Sequence, residues 1–148
     1  MKNKKILLTG VTGLLGSWLA EELLDNDCEL TGLALNQDLN FLINSKKITN
    51  DLDIHYFDIS DEEKLNKIFN KDYDLVIHLA AQTQVGHAID NPVFTFKSNI
   101  QGTWNILDLC RVNNIPIVVA SSDKAYGESD VLPYEETFNL NGQFPYEV

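Results

Sequence analysis

At 148 residues, with 44% hydrophobic and 22% charged residues, the chain can build one domain with a real core and falls outside the disordered class. A net charge of −11 and a pI near 4.5 exclude a broad nucleic-acid or anionic-membrane surface, yet backbone dipoles at one helix start suffice to hold a single anionic cofactor. No apolar run approaches the ~18 residues of a membrane span. The basic start before Ile6 is followed by an apolar run that breaks at Thr9-Gly10 without a signal-peptide cleavage pattern, so a cytoplasmic protein is expected. Cys28 and Cys110 lack C-x-x-C spacing and read as reduced, buried thiols.

The first strand, Lys5–Thr9, is a continuous apolar run suited to burial on both faces. Gly10, Gly13 and Gly16 follow, spaced three apart, and open an amphipathic helix over Leu14–Asp25. Gly10 lets the chain turn sharply, Gly13 lets backbone approach a pyrophosphate, and Gly16 lets the helix pack against the strand. The helix start offers free N–H groups and a positive dipole end to phosphates. The spacing differs from the G-x-G-x-x-G of ordinary dinucleotide folds, so the glycines alone also fit a structural turn.

A second strand is predicted over residues 29–35. Its end usually carries an acid that reads the adenosine ribose, but here it is Leu33-Ala34-Leu35-Asn36. Asn36 or Asp38 are the available substitutes, and no arginine or lysine there favours the phosphorylated cofactor. Residues 37–50 are polar with one apolar patch and read as a short helix or loop. A third strand over 53–57 leads to Asp58 and Ile59, which either flank an adenine or open the turn. Ser60-x-x-Glu63 has the capping-box spacing, predicting a helix over 61–70.

The fourth strand, 74–79, runs into Leu79-Ala80-Ala81, whose small residues let a ligand lie close to backbone. His78 stands in an apolar run and reads as a hydrogen-bonded core histidine. No His, Cys or carboxylate set has metal-ligand spacing, so no metal is expected. His87 falls in a predicted loop over 83–90 that faces substrate. Asn91-Pro92 starts a long helix to about residue 113, in which Asn99 and Gly102 oppose propensity and mark a functional or close-packed position. A fifth strand over 116–120 leads into Ser121-Ser122-Asp123-Lys124-Ala125-Tyr126-Gly127.

Strands alternating with helices predict the α/β class: a doubly wound parallel sheet, or Rossmann fold, binding ligands at the carboxyl ends of its strands. The glycine turn, Asp58, Ala80-Ala81 and Ser121-Ser122 all fall at those ends. No repeat or low-complexity segment appears.

These motifs, with Pro145-Tyr146, occur in one order. Together they resemble the extended short-chain dehydrogenase/reductases, the NAD-dependent nucleotide-sugar epimerases and dehydratases, and most of all the CDP-glucose 4,6-dehydratase branch. The resemblance implies an NAD cofactor, with NADP left open, bound by Gly10, Thr12, Gly13, Leu14, Leu15, Gly16, Asp58, Ile59, Leu79, Ala80, Ala81 and Asn99. It implies that Ser122 hydrogen-bonds the substrate oxygen and Tyr146 is the catalytic acid/base. A nearby ammonium and the positive nicotinamide lower the phenol's ordinary pKa of about 10. Asp123 and Lys124 match the dehydratases' acid/base positions, although both also suit a plain turn. In such an enzyme hydride leaves sugar C4 and returns to C6. Tyr126 reads as a packing residue and Glu135-Glu136 as a solvated loop.

The family's lysine, four residues after Tyr146, would stand beyond Val148. The expectation is therefore one NAD-binding domain over 1–148, an N-terminal fragment that lacks the substrate domain, exposes a sheet edge and is inactive alone. An epimerase or reductase of the same family, or an inactive NAD-binding fragment, is the alternative. The resemblance also implies a nucleotide-sugar substrate and a homodimer through a four-helix bundle that includes the helix over 94–110.

Overall fold

A computed structural model describes residues 2–36 and 52–144. Asp38, the expected helix or loop over 37–50, and Tyr146 lie outside the described residues. The described strands are β1 (Lys5–Thr9), β2 (Glu29–Ala34), β3 (Asp53–Tyr56), β4 (Leu75–His78) and β5 (Ile117–Val119). They pair in parallel in the order β3-β2-β1-β4-β5. This is the doubly wound arrangement, and its order reverses between β1 and β4. A crevice opens there at the strands' carboxyl ends.

The helices are α1 (Leu14–Asp25), α2 (Glu62–Ile68), α3 (Val85–Asp90), α4 (Pro92–Phe96) and α5 (Gly102–Asn113). Both faces of β1 are covered because its side chains alternate. Ile6 and Leu8 pack with Ala20 and Leu23 of α1. Leu7 packs on the other side with Leu65 and Ile68 of α2 and with Ile106 and Cys110 of α5. Ile6, Leu7 and Leu8 are all fully buried, each contributing about 1.5–3 kcal/mol of transfer free energy. The continuous apolar run that predicted a central strand thus has a partner layer on each side.

Both cysteines are buried and outside any disulfide, and burial pushes the Cys110 thiol up to about 11, which keeps it protonated and unreactive at neutral pH. Among the described residues no helix is long and apolar enough to cross a membrane.

Three local expectations are corrected. First, the α2 cap is Asp61 and not Ser60: the Asp61 side chain accepts from Lys64 N–H at 3.2 Å. Ser60 is occupied one step earlier, where its N–H donates to Asp58 Oδ1 at 2.8 Å in a turn that Asp58 closes. Second, residues 85–90 form the helix α3 where a loop was expected; the buried Ala88 anchors it, with its N–H donating to Gln84 O at 3.0 Å. Third, the long helix from Pro92 is interrupted. Between α4 and α5 lies a π turn, Lys97–Gln101, closed by Gly102 N–H onto the carbonyl of Lys97.

The propensity breach at Asn99 and Gly102 has its cause here. A Cβ on Gly102 would stand 2.5 Å from Ile59 Cγ1, so α5 can approach the segment after β3 only through glycine. Asn91 supplies no side-chain cap, whereas Pro92 does sit in the first turn of α4.

Candidate functional site

A cleft of about 440 Å³ lies over the carboxyl ends of β1, β2 and β4. Its first wall is the turn after β1. Gly10 has φ +73°, a left-handed conformation that favours glycine, and a Cβ there would come within 2.8 Å of Ala80 N and Leu79 C. Gly13 precedes the first turn of α1 in extended backbone, without a side-chain cap hydrogen bond, and that turn carries no acid. Gly13, Leu14, Leu15 and Gly16 all line the cleft. A helix N-terminus therefore faces the cavity with backbone donors and no acid in its own first turn.

The second wall comes from β2 and the segment after β3: Leu33, Ala34, Leu35, Phe57, Asp58 and Ile59. Asp58 serves both readings given by its position, because it closes the turn onto Ser60 and also lines the cleft. The third wall is the segment after β4, Leu79 to Thr83, joined by Phe94, Ser98 and Ala120.

Eleven of the predicted cofactor residues therefore converge: Gly10, Thr12, Gly13, Leu14, Leu15, Gly16, Asp58, Ile59, Leu79, Ala80 and Ala81. Asn99 reaches the cleft at one remove. Its Oδ1 accepts from Gln82 N–H at 2.7 Å, its Nδ2 donates to Gln82 O at 3.0 Å, and Gln82 lines the wall. Phe57, Gln82, Phe94 and Ser98 were not anticipated. Their only signal was position just past a strand or on the helix facing one.

Beyond Ala120 the chain enters a 3₁₀ turn, Asp123–Tyr126. Ser122 caps it, its Oγ accepting from Lys124 N–H at 3.2 Å. Lys124 Nζ stands 3.9 Å from Asp123 Oδ2, and both side chains are at least half exposed. The trio thus sits together at the end of β5, two residues past the cleft wall at Ala120. Tyr126 stacks on Tyr134 with ring centroids 5.3 Å apart, and Tyr134 OH donates to Gly127 O at 2.9 Å, a packing arrangement. His87 packs edge-on against Phe94, and its Nδ1 lies 3.1 Å from Gln82 Nε2.

His78 is buried at the end of β4, as its apolar surroundings suggested. Nδ1 lies 2.6 Å from Thr9 Oγ1 and Nε2 lies 3.0 Å from Thr103 Oγ1. Burial pushes its pKa down from 6.5 to about 4. The folded value lies below the unfolded one, so the unfolded chain binds the extra proton between them. This contribution to stability is fully present above pH ~6.5 and is lost as pH falls toward 4, about 3 kcal/mol in all. Urea unfolding at pH 7 and pH 5 should show the decline, and His78→Gln should flatten it. Equal stability at the two pH values would contradict a neutral buried imidazole.

The cleft fits a dinucleotide. Where Gly13 would carry a Cβ, the nearest heavy atom is Gly10 O at 3.2 Å, so the missing side chain leaves the mouth of the cradle open. Lining atoms from Leu33, Ala34, Phe57 and Ile59 offer an apolar slot beside it.

Residues 7–148 match the sequence family described as GDP-mannose 4,6 dehydratase. The chain is 33% identical over 150 residues to CDP-glucose 4,6-dehydratase of Salmonella typhimurium, covering 98% of this chain and 42% of that protein. It is 33% identical over 138 residues to UDP-glucose 4-epimerase of Neisseria meningitidis serogroup B, covering 90% of this chain and 41% of that one. Its fold superposes with TM-score 0.85 on UDP-glucose-4-epimerase from Stenotrophomonas maltophila with bound NAD and formylated UDP-arabinopyranose, at 27% identity, covering 98% of this chain and 45% of that one. The chain spans under half the length of these relatives. With its parallel sheet, glycine cradle and matching sequence over residues 7–148, the chain belongs to the nucleotide-sugar epimerase/dehydratase family.

Proposed function

We propose that residues 1–148 form the NAD-binding domain of a nucleotide-sugar 4,6-dehydratase acting on CDP-glucose or a close analogue. The observation that carries the dinucleotide part is the glycine turn and α1 N-terminus opening into a cleft also lined by Asp58, Ile59 and Leu79 to Ala81. The dehydratase part is supported by Ser122-Asp123-Lys124 after β5 and by the similarity to a CDP-glucose 4,6-dehydratase.

The backbone N–H groups of Leu14, Leu15 and Gly16 would hold the pyrophosphate, and Leu33, Ala34, Phe57, Asp58 and Ile59 the adenosine half. No acid stands at Leu33 to Asn36, so the preference for NAD over NADP rests on the family. When bound, the nicotinamide supplies the acceptor for hydride from sugar C4 and the donor to C6. Tyr146 takes the C4 hydroxyl proton, and Ser122 orients that oxygen. Asp123 and Lys124 manage the C5 proton and the departing C6 hydroxyl, a role that suits a carboxylate and an ammonium held side by side. The whole protein works in the cytoplasm and without a metal. The exposed apolar side chains Trp104, Leu107 and Val112 on α5 support pairing of two copies through these helices.

An epimerase is the second reading, favoured by UDP-glucose 4-epimerases at the same level of identity. Incubating the whole protein with CDP-glucose and with UDP-glucose separates the two. We expect a 4-keto-6-deoxy sugar from CDP-glucose. Interconverted C4 epimers with no keto product from either sugar would overturn the dehydratase reading.

A further inference from the structure

The hydrogen bonds around His78 can be assigned proton by proton. Thr9 Oγ1 accepts from Ala80 N–H at 3.1 Å and also from Leu79 N–H at 3.2 Å, a donor that it shares with Thr9 O at the same distance. A hydroxyl has two lone pairs and one hydrogen, and with both N–H groups directed at the pairs the hydrogen is left for His78 Nδ1, 2.6 Å away. On the other side of the ring, Thr103 Oγ1 donates to Asn99 O at 2.7 Å. Its hydrogen is therefore committed, and the 3.0 Å contact with His78 Nε2 requires the hydrogen to lie on Nε2. The two sides agree independently on one neutral tautomer.

This chain of bonds runs through residues that adjoin the cleft wall in sequence without lining it: Thr9 precedes Gly10 and His78 precedes Leu79. It begins at the end of β1, just before Gly10, and passes through the end of β4. It enters α5 at Thr103 and ends on the carbonyl of Asn99 inside the π turn. The Thr103 hydroxyl thus ties the first turn of α5 back onto the π turn, four residues earlier in the chain. With its backbone held this way, Asn99 directs both amide atoms onto the backbone of Gln82. Gln82 and Ser98 both line the cleft.

We propose that His78 and Thr103 are positioning residues of the dinucleotide cleft: the Nε2–H tautomer of His78 links the strand ends that carry the glycine turn to the π turn that holds Asn99 against Gln82. Neither side chain lines the cleft. They act by fixing the wall after β4 relative to the turn after β1. The inference rests on the dinucleotide reading of the cleft.

Two measurements test it. In the ¹⁵N-histidine-labelled chain at pH 7, long-range ¹H–¹⁵N correlation should find His78 protonated at Nε2 and bare at Nδ1. His55→Gln and His87→Gln assign the other two rings. A proton on Nδ1, or a doubly protonated ring, would overturn the assigned chain of bonds. Next, NAD affinity is measured by calorimetry well below the melting midpoint. Thr103→Val, which keeps the shape and removes the hydroxyl, should weaken NAD roughly tenfold, and Thr103→Ser should restore affinity to within about twofold of the parent. Parental affinity in Thr103→Val, or no recovery in Thr103→Ser, would overturn the positioning role. A parent chain that binds no NAD would instead overturn the dinucleotide reading, and the positioning role with it, while the tautomer measurement would still report on the bonds.

Discussion

Gly13→Val should leave the chain folded and weaken NAD by about a hundredfold or more, whereas Gly16→Ala should unfold the cradle itself. The two glycines lie three residues apart in the same turn, and their surroundings differ. At Gly13 the backbone is extended, at φ −72° and ψ 173°, and a Cβ would meet only Gly10 O at 3.2 Å. That oxygen has to yield by a few tenths of an ångström. Losing glycine at the helix cap costs at most about 1 kcal/mol more. The rest of the side chain would then occupy the space a pyrophosphate needs. Removing two charge-assisted backbone hydrogen bonds, at about 1.5 kcal/mol or more each, amounts to that hundredfold.

At Gly16 an added Cβ would lie 2.1 Å from Gly10 O and 2.9 Å from Gly10 C, both backbone atoms of the turn. Nothing flexible can move aside, so α1 must lift away from β1. A cost of about 3 kcal/mol, or roughly 10 °C in melting midpoint, is expected. Thermal denaturation and calorimetry on both variants check the contrast. Normal NAD affinity in Gly13→Val would refute the pyrophosphate site, and an unchanged midpoint in Gly16→Ala would refute the close helix–strand contact.

In the whole protein, Tyr146→Phe should retain NAD affinity and lose about a thousandfold in turnover. The loss follows from what a phenol does in this position. With a pKa near 10 a tyrosine is a poor base at neutral pH. Beside positive charge its phenolate is stabilised, and proton transfer by a placed acid or base typically contributes 10²–10⁴-fold. Phenylalanine keeps the ring and removes the only proton-carrying atom, so binding and chemistry separate. Calorimetry with NAD and initial rates with CDP-glucose measure the two effects. Undiminished turnover would remove Tyr146 from the reaction.

Much of this molecule could be read along the chain. The continuous apolar run at Ile6 to Leu8 marked a strand buried on both faces, because a strand with one solvated face alternates instead. Glycine spaced three apart directly after that strand marked the cradle, since backbone that must turn and then approach a ligand excludes side chains. Strand ends collected Asp58, Leu79 and Ala80, because a parallel sheet brings all its carboxyl ends to one edge. Boundaries came within a residue or two. Local hydrogen-bond competition was less legible: Ser60 has the spacing of a cap, yet Asp58 claims its N–H and Asp61 takes the role.

What the sequence by itself determined is the order of elements, the doubly wound class and most of the residues that line the cleft. These depend on periodicity and on residue types that only one backbone geometry accommodates. What only the tertiary structure decided is how remote side chains meet. Thr9, His78 and Thr103 are 69 and 25 residues apart in turn, and no local pattern records their pairing. The same holds for the π turn. Asn99 and Gly102 showed that something opposes a regular helix, but only the packing of Gly102 against Ile59 and the grip of Asn99 on Gln82 supply the cause. Short-range periodicity fixes which face a residue presents, whereas directional hydrogen bonds between strand ends and helices form only after the sheet has brought them together.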